Sequence, residues 1–148
     1  MRISVKGRYA LATIIIIAEK SLQEENVSVA FIAEQLEISK IYLEQVFSTL
    51  KKADLLTSIK GPHGGYKLAR PASDITIYDV LSTLELGITE RTESTVADSA
   101  PAIEMTLKDK VFNPLDRAVV DLLTNITVQS LLDEKQFQLE SQSYMINM

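Results

Sequence analysis

From Val27 to Leu68 the chain reads helix, tight turn, helix, and then two short alternating segments around a glycine-tipped turn. Few small folds accommodate that order. A short amphipathic segment ending at Leu36 is capped by Ser28 or starts one residue later, with Ile32, Ala33 and Leu36 inward and Phe31 on the flank. Glu37-Ile38 leaves room only for a turn. Ser39 caps a second helix through Lys52, in which Ile41, Val46, Leu50 and Ala53 are expected to face inward. Lys40, Glu44, Ser48, Lys51 and Lys52 are then left to solvent or a partner. Leu55–Lys60 and Tyr66–Leu68 alternate like strands on either side of Gly61-Pro-His-Gly-Gly65. A winged helix-turn-helix meets all of these requirements, giving a mainly α fold with a small β-wing and making DNA the expected partner.

The net charge of −5 argues against a polyanionic partner until its distribution is considered. Residues 1–71 carry ten lysines and arginines against seven acids, a local +3, and residues 72–148 carry five against thirteen, a local −8. Phosphate contact requires a basic surface, not a basic protein, and the first half can supply one. With no cysteine in the sequence, disulfides, thiolate metal sites and thiol nucleophiles are excluded. Neither a nucleophile elbow, a phosphate loop nor a two-histidine zinc motif is present, so no enzyme is expected. The longest apolar run, Ala10–Ala18 with Thr13 inside it, is about half of the roughly 20 residues a membrane span needs, and no cleavable signal pattern follows Met1. The expected location is cytoplasmic.

Outside this core the chain divides as follows. Ser4 caps a first helix to about Lys20, with Val5, Tyr9, Ala12 and Ile16 on one stripe, widened by Leu11, Ile14, Ile15 and Ala18 until the helix is apolar almost all round. After an Arg70–Asp74 linker, Thr76 caps a helix to Glu85, with Asp79 at the capping-box position. The winged domain is thus expected over residues 1–86. Residues 87–102, small and polar, read as a loop without regular structure. Residues 103–134 form a long helix and a short one capped by Thr127, and 135–148 a polar tail ending in Tyr144-Met-Ile-Asn-Met148. Asn113-Pro114 signals a helix start, so Glu104–Phe112 is either a separate helix or the first part of one long kinked helix. Leu115, Ala118, Val119, Leu122, Leu123 and Ile126 recur at helical spacing beyond an already complete winged-helix core, and are read as a dimer surface, with packing back on the chain's own domain as the alternative.

The chemistry of the second helix fits base reading. Its N-terminal residues, Ser39, Lys40, Ile41, Tyr42, Glu44 and Gln45, lie nearest the base edges. Ser39 can meet a phosphate or base, Tyr42 can donate to phosphate, Glu44 can accept from a cytosine amino group, and Gln45 has the donor–acceptor pair that reads adenine. Lys51 closes the helix as a phosphate contact. Lys60 precedes the wing turn, in which Gly61, Pro62, Gly64 and Gly65 let backbone approach a phosphate or enter a narrow groove. His63, the lone histidine, reads as an exposed wing-tip residue.

These residues resemble the Rrf2 family of bacterial winged-helix regulators. The resemblance rests on Lys6-Gly-Arg-Tyr-Ala10, Ile41-Tyr-Leu-Glu-Gln45, Lys60-Gly-Pro-His-Gly-Gly-Tyr66 and Asn125-Ile-Thr127, and covers about residues 1–134. It implies a homodimer joined through the long helix on a roughly palindromic double-stranded operator. It further implies Ser39, Tyr42, Glu44 and Gln45 in the major groove, Lys60 at the minor groove, and Arg2, Lys6 and Lys51 on the backbone. Cluster-binding members hold iron–sulfur through three cysteines in the loop that corresponds here to about Gly87–Met105, which has none. No cofactor or metal is therefore expected. The chain is similar instead to the family's cysteine-free branch, which includes the cysteine-metabolism repressor of Gram-positive bacteria, a likeness that extends to Tyr144-Met145-Ile146. That likeness implies a repressor of sulfur genes controlled by O-acetylserine thiol-lyase or by a small-molecule effector. The competing expectation is a protein-interaction module or metabolite sensor whose DNA binding is vestigial.

Overall fold

The computed structural model describes residues 3–147; Arg2 lies outside the described residues. Helix α1 (Val5–Leu22) starts at Ser4, whose Oγ accepts from the Gly7 N–H at 3.0 Å. Its buried face is Gly7, Ala10, Thr13, Ile14, Ile17 and Ala18, rotated from the Val5/Tyr9/Ala12/Ile16 stripe expected from sequence. An all-apolar helix carries no phase signal. Here the small residues set it, because α1 is packed against by the wing and by two later helices, and close approach needs Gly and Ala.

Helices α2 (Val29–Leu36) and α3 (Lys40–Lys52) are capped by Ser28 and Ser39, which accept from the N–H groups of Phe31 and Tyr42. Glu37 makes the turn between them in the left-handed region (φ 55°), and Asp54 ends α3 in the same conformation. Strands β1 (Leu56–Ile59) and β2 (Gly65–Leu68) pair antiparallel, with Leu56 opposite Leu68 and Ile59 opposite Gly65. Val27 exchanges both backbone hydrogen bonds with Tyr66 (2.9 and 2.7 Å), so the segment before α2 pins the wing to the helix-turn-helix. The close approach is why residue 65 is glycine: a Cβ there would sit 2.7 Å from the Val27 carbonyl oxygen. The Phe47 and Tyr66 rings meet edge-on at 4.6 Å and tie α3 to the wing.

Thr76 and Asp79 form the expected reciprocal capping box at α4, which is shorter than expected, Ile77–Leu81, followed by turns and a single-turn helix α5 (Leu86–Thr89). Past Pro101 the chain forms one continuous rod: α6 (Pro101–Leu107), a π-helical turn (Lys108–Phe112) and α7 (Asn113–Thr124). Asn113 is itself helical (φ −65°, ψ −43°), so it is not the cap its sequence context suggested. Pro114 cannot donate and its ring crowds the preceding turn; widening that turn so that the Asn113 N–H reaches the Lys108 carbonyl accommodates it without ending the helix.

Helix α8 (Val128–Ile146), capped by Thr127, continues 12 residues beyond the expected stop at Glu134. The polar stretch read as a tail is a solvated helix, with Gln129–Asp133, Gln138–Glu134 and Gln136–Glu140 side-chain pairs one turn apart. Lys135 of α8 pairs with Glu19 of α1. Val128 and Leu132 enter the same core as Ile14, Ile17, Phe47, Leu50, Val80 and Leu81, and the α7–α8 junction bonds to the entry of α4 (Ile77 N–H to Ile126 carbonyl, Val128 N–H to Ile75 carbonyl, each 2.8 Å).

Candidate nucleic-acid interface

The buried stripe of α3 is Leu43, Val46, Phe47 and Leu50, all without solvent exposure. With that face inward, Ile41, Glu44, Gln45, Ser48 and Lys52 form the outward stripe, joined by Lys40 and Lys51. Ile41, expected inward, is therefore corrected: its side chain is 72% exposed. Leu43 is the residue that fills the place assigned to it.

Ser39 is exposed, but its Oγ is engaged as the cap, accepting from the Tyr42 N–H at 3.2 Å. Tyr42 is half-buried with its ring edge-on to Tyr9 of α1 at 5.8 Å, which fixes the ring while its hydroxyl makes no hydrogen bond among the described residues. Glu44 and Gln45 are exposed. The ion pairs among the described residues are Lys20–Glu25, Arg70–Asp79 and Lys135–Glu19, so neither Glu44 nor Lys40, Lys51, Lys52 and Lys60 is neutralised by a neighbour.

Lys60 follows β1 directly and is exposed beside Gly61 and Pro62 at the wing tip. Gly61 adopts φ 109° with open space around its Cα, and a Gly64 Cβ would overlap the Ile59 carbonyl. The turn thus needs glycine once for conformation and once for space. His63 is exposed, and its carbonyl accepts from the Asn26 side chain at 3.2 Å.

Lys6 is half-buried in the first turn of α1. That turn is locked by a contact not anticipated from sequence: Glu85, just past α4, accepts from both the N–H (2.6 Å) and the hydroxyl (2.5 Å) of Ser4. Gly7 leaves the space in which the Glu85 carboxylate sits. Arg2, also expected at the DNA backbone, lies outside the described residues.

A three-part surface of exposed recognition stripe, unneutralised lysines and glycine wing is what duplex binding requires, and the sequence profile of Rrf2, described as an iron-dependent transcriptional regulator, matches residues 3–134. The chain belongs to the Rrf2 family. It is a DNA-binding transcriptional regulator and not an enzyme. It is 35% identical over 136 residues to the HTH-type transcriptional regulator IscR of Pectobacterium atrosepticum, covering 92% of this chain and 82% of that one. Among solved structures it is similar to CymR, the global cysteine regulator of B. subtilis, with 34% identity, a TM-score of 0.76, and coverage of 90% of this chain and 98% of that one. T. potens IscR superposes with a TM-score of 0.67 at 30% identity, over 91% of this chain and 88% of that one.

The iron dependence in the family's description can be tested against this Rrf2 member's donor set. The sequence has no cysteine, and among the described residues no group of three His, Cys, Asp or Glu side chains is arranged to hold a metal. The segment in question is also not the featureless loop expected over 87–102. Asp116 of α7 accepts from the N–H and hydroxyl of Thr92 (2.9 and 2.8 Å), and Glu104 of α6 accepts from the N–H groups of Thr95 and Val96 (3.0 and 3.3 Å). Glu104 is only 3% exposed. Burial by itself raises its pKa, but the Val96 and Thr95 N–H groups, the Ser94 hydroxyl and nearby Lys108 outweigh it and hold the carboxyl below its ordinary 4.5. Asp116 is held low by the Thr92 bonds, with Arg91 adding to them. Both carboxylates are committed to N–H and hydroxyl groups of the 92–96 segment and neither offers soft ligation, so the residues do not fit an iron–sulfur cluster.

Of the six residues expected at a dimer surface, Leu115, Ala118 and Leu122 are exposed, whereas Val119, Leu123 and Ile126 are half-buried against the chain's own core. The exposed three continue along the rod into Val111, Leu107 and Ile103. Beside α7, a groove of about 490 Å³ is lined by Ile88, Arg91, Asp116, Arg117, Val120 and Asp121.

Proposed function

We propose that this Rrf2 regulator is a homodimeric repressor of sulfur or cysteine genes that binds a palindromic operator without an iron–sulfur cluster. The observation that carries the DNA-reading part is the stripe of α3, with Glu44 and Gln45 outward between lysines and their side chains unpaired among the described residues, held at a fixed orientation to the Lys60 wing. Tyr42, with Ser39 and Lys40 beside it, orients the helix start on phosphates, Lys6 and Lys51 meet the backbone, and Lys60 with Gly61, Pro62, Gly64 and Gly65 follows the minor groove. The likeness to B. subtilis CymR supports the sulfur assignment, and the cysteine-free sequence supports control by something other than a cluster.

Dimerisation is assigned to the outward seam of the rod, Leu115, Ala118 and Leu122, with Val119, Leu123 and Ile126 holding the rod on the winged domain. Such a seam left in water is costly and, in a second copy, finds its own complement. Control is assigned to O-acetylserine thiol-lyase or to a small-molecule effector in the Arg91/Arg117 groove, which adjoins both the loop and the rod. The chain acts in the cytoplasm; no helix among the described residues is long and apolar enough to cross a membrane.

Selection of duplexes from random DNA, followed by analytical ultracentrifugation of the complex, tests this reading. Enrichment of a palindrome bound by two protomers is expected, and Leu115→Asp/Leu122→Asp should leave monomers that bind it weakly. Failure to enrich any sequence would instead favour an interaction module with vestigial DNA affinity.

A further inference from the structure

We infer that Ile41 is a specificity residue that reads a thymine methyl group in the major groove, an inference that rests on α3 being the helix that enters the groove. Every other aliphatic or Phe side chain of α3 is fully buried, yet Ile41 is 72% exposed in its first turn. Packing therefore does not explain it. Neither does helix propensity, since β-branched residues are mediocre helix formers. A lone exposed isoleucine on an ordinary surface would call for no explanation. This one lies three and four residues ahead of Glu44 and Gln45 on the same outward stripe, within side-chain reach of both, and between Lys40 and Tyr42.

The N-terminal end of a recognition helix is the part closest to the bases, and the apolar feature a base edge presents in the major groove is the C5-methyl of thymine. Glu44 and Gln45 carry the polar chemistry that suits cytosine and adenine; Ile41 adds the chemistry they lack. At about 1.5 Å rise per residue, Ile41 stands about 4.5–6 Å along the helix from them. That distance corresponds to one or two steps of the duplex, about 3.4 Å each. The thymine read by Ile41 is thus expected one or two base pairs from the pair contacted by Glu44 or Gln45.

Replacing thymine with deoxyuridine removes this methyl and nothing else. Using the full chain and its selected duplex, each symmetric pair of thymines is replaced in turn, and Kd is measured by fluorescence anisotropy at constant salt for wild type, Ile41→Ala and Ile41→Val. For one pair, wild type should lose about fourfold in affinity per half-site, about fifteenfold in all. Ile41→Ala should bind the thymine duplex more weakly and be indifferent to uracil at that pair, and Ile41→Val should retain part of the sensitivity. Because the side chain is exposed and alanine is the better helix former, Ile41→Ala should not lower the melting temperature. Wild-type indifference to every uracil replacement, or a uracil penalty that persists in Ile41→Ala, would overturn the inference while leaving DNA binding intact. No enrichment of a duplex by wild type would remove both.

Discussion

The Ser4–Glu85 lock makes the sign of one substitution depend on a residue 78 positions away. In Gly7→Ala the new Cβ would overlap the Glu85 carboxylate and crowd the Ile3 side chain at 2.9 Å. Glu85 would have to leave, forfeiting its two bonds to Ser4. Hydrogen bonds to a charged acceptor contribute about 1.5–3 kcal/mol each when protected; at this solvent-facing helix start the pair together is worth about 2 kcal/mol. Against that, alanine improves on glycine in a helix by up to about 1 kcal/mol, and by about half of that in a first turn. Gly7→Ala should therefore destabilise the wild type by about 1.5 kcal/mol. With Glu85→Ala already in place, only the flexible Ile3 side chain must yield, and the same substitution should be neutral or stabilising by about 0.5 kcal/mol. Urea unfolding of the four proteins of this cycle, compared at a common m-value, gives the coupling energy directly, expected near 2 kcal/mol. Equal costs of Gly7→Ala in both backgrounds would refute the lock. Because Lys6 lies in the same turn, Glu85→Ala should also weaken DNA binding through misplacement of that lysine.

Two further outcomes follow from buried polar groups. Thr13 is fully buried and its hydroxyl has no hydrogen-bond partner among the described residues, so Thr13→Val, close in shape, should raise stability by about 1 kcal/mol in the same unfolding assay. Glu104 binds its proton less readily folded than unfolded, so its contribution is complete above the ordinary value of 4.5 and is lost as pH falls through its depressed folded value. Thermal midpoints measured from pH 7 downward should accordingly drop more steeply below pH 4.5 for wild type than for Glu104→Gln, and parallel curves would show that the carboxylate does not anchor the loop.

Local signals in the sequence translated well into structure. Ser4, Ser28, Ser39, Thr76 and Thr127 were each legible as caps, and each accepts the N–H three residues on. The wing was legible because glycine and proline punctuate two strands at hairpin spacing. Phase was harder. In α1, apolar all round, only the small residues mark where neighbours approach, and in α3 the mixed set Ile41, Leu43, Val46 and Phe47 allows two inward faces until the core is built. The start signal at Asn113-Pro114 left a separate helix and one long helix equally open, because the widened turn that carries the backbone past Pro114 is a route that local sequence does not specify. The order of the 92–96 segment depends on carboxylates 24 and 8–9 residues away in sequence, and a run of Thr, Ser and Glu carries no mark of such partners. Ile41 was visible as part of the helix start, but its apolar character concealed its role.

The salt dependence of operator binding tests the central claim most directly. Lys6, Lys51 and Lys60 on each of two protomers place about six lysines on phosphates, which sets a slope of log K against log salt of about −5. A slope near that value is expected for the selected palindrome, becoming shallower by nearly two, to about −3.5, for Lys60→Ala, which removes one contact per protomer. Binding that is absent, or indifferent to salt between about 50 and 200 mM, would contradict the assignment of this surface to DNA.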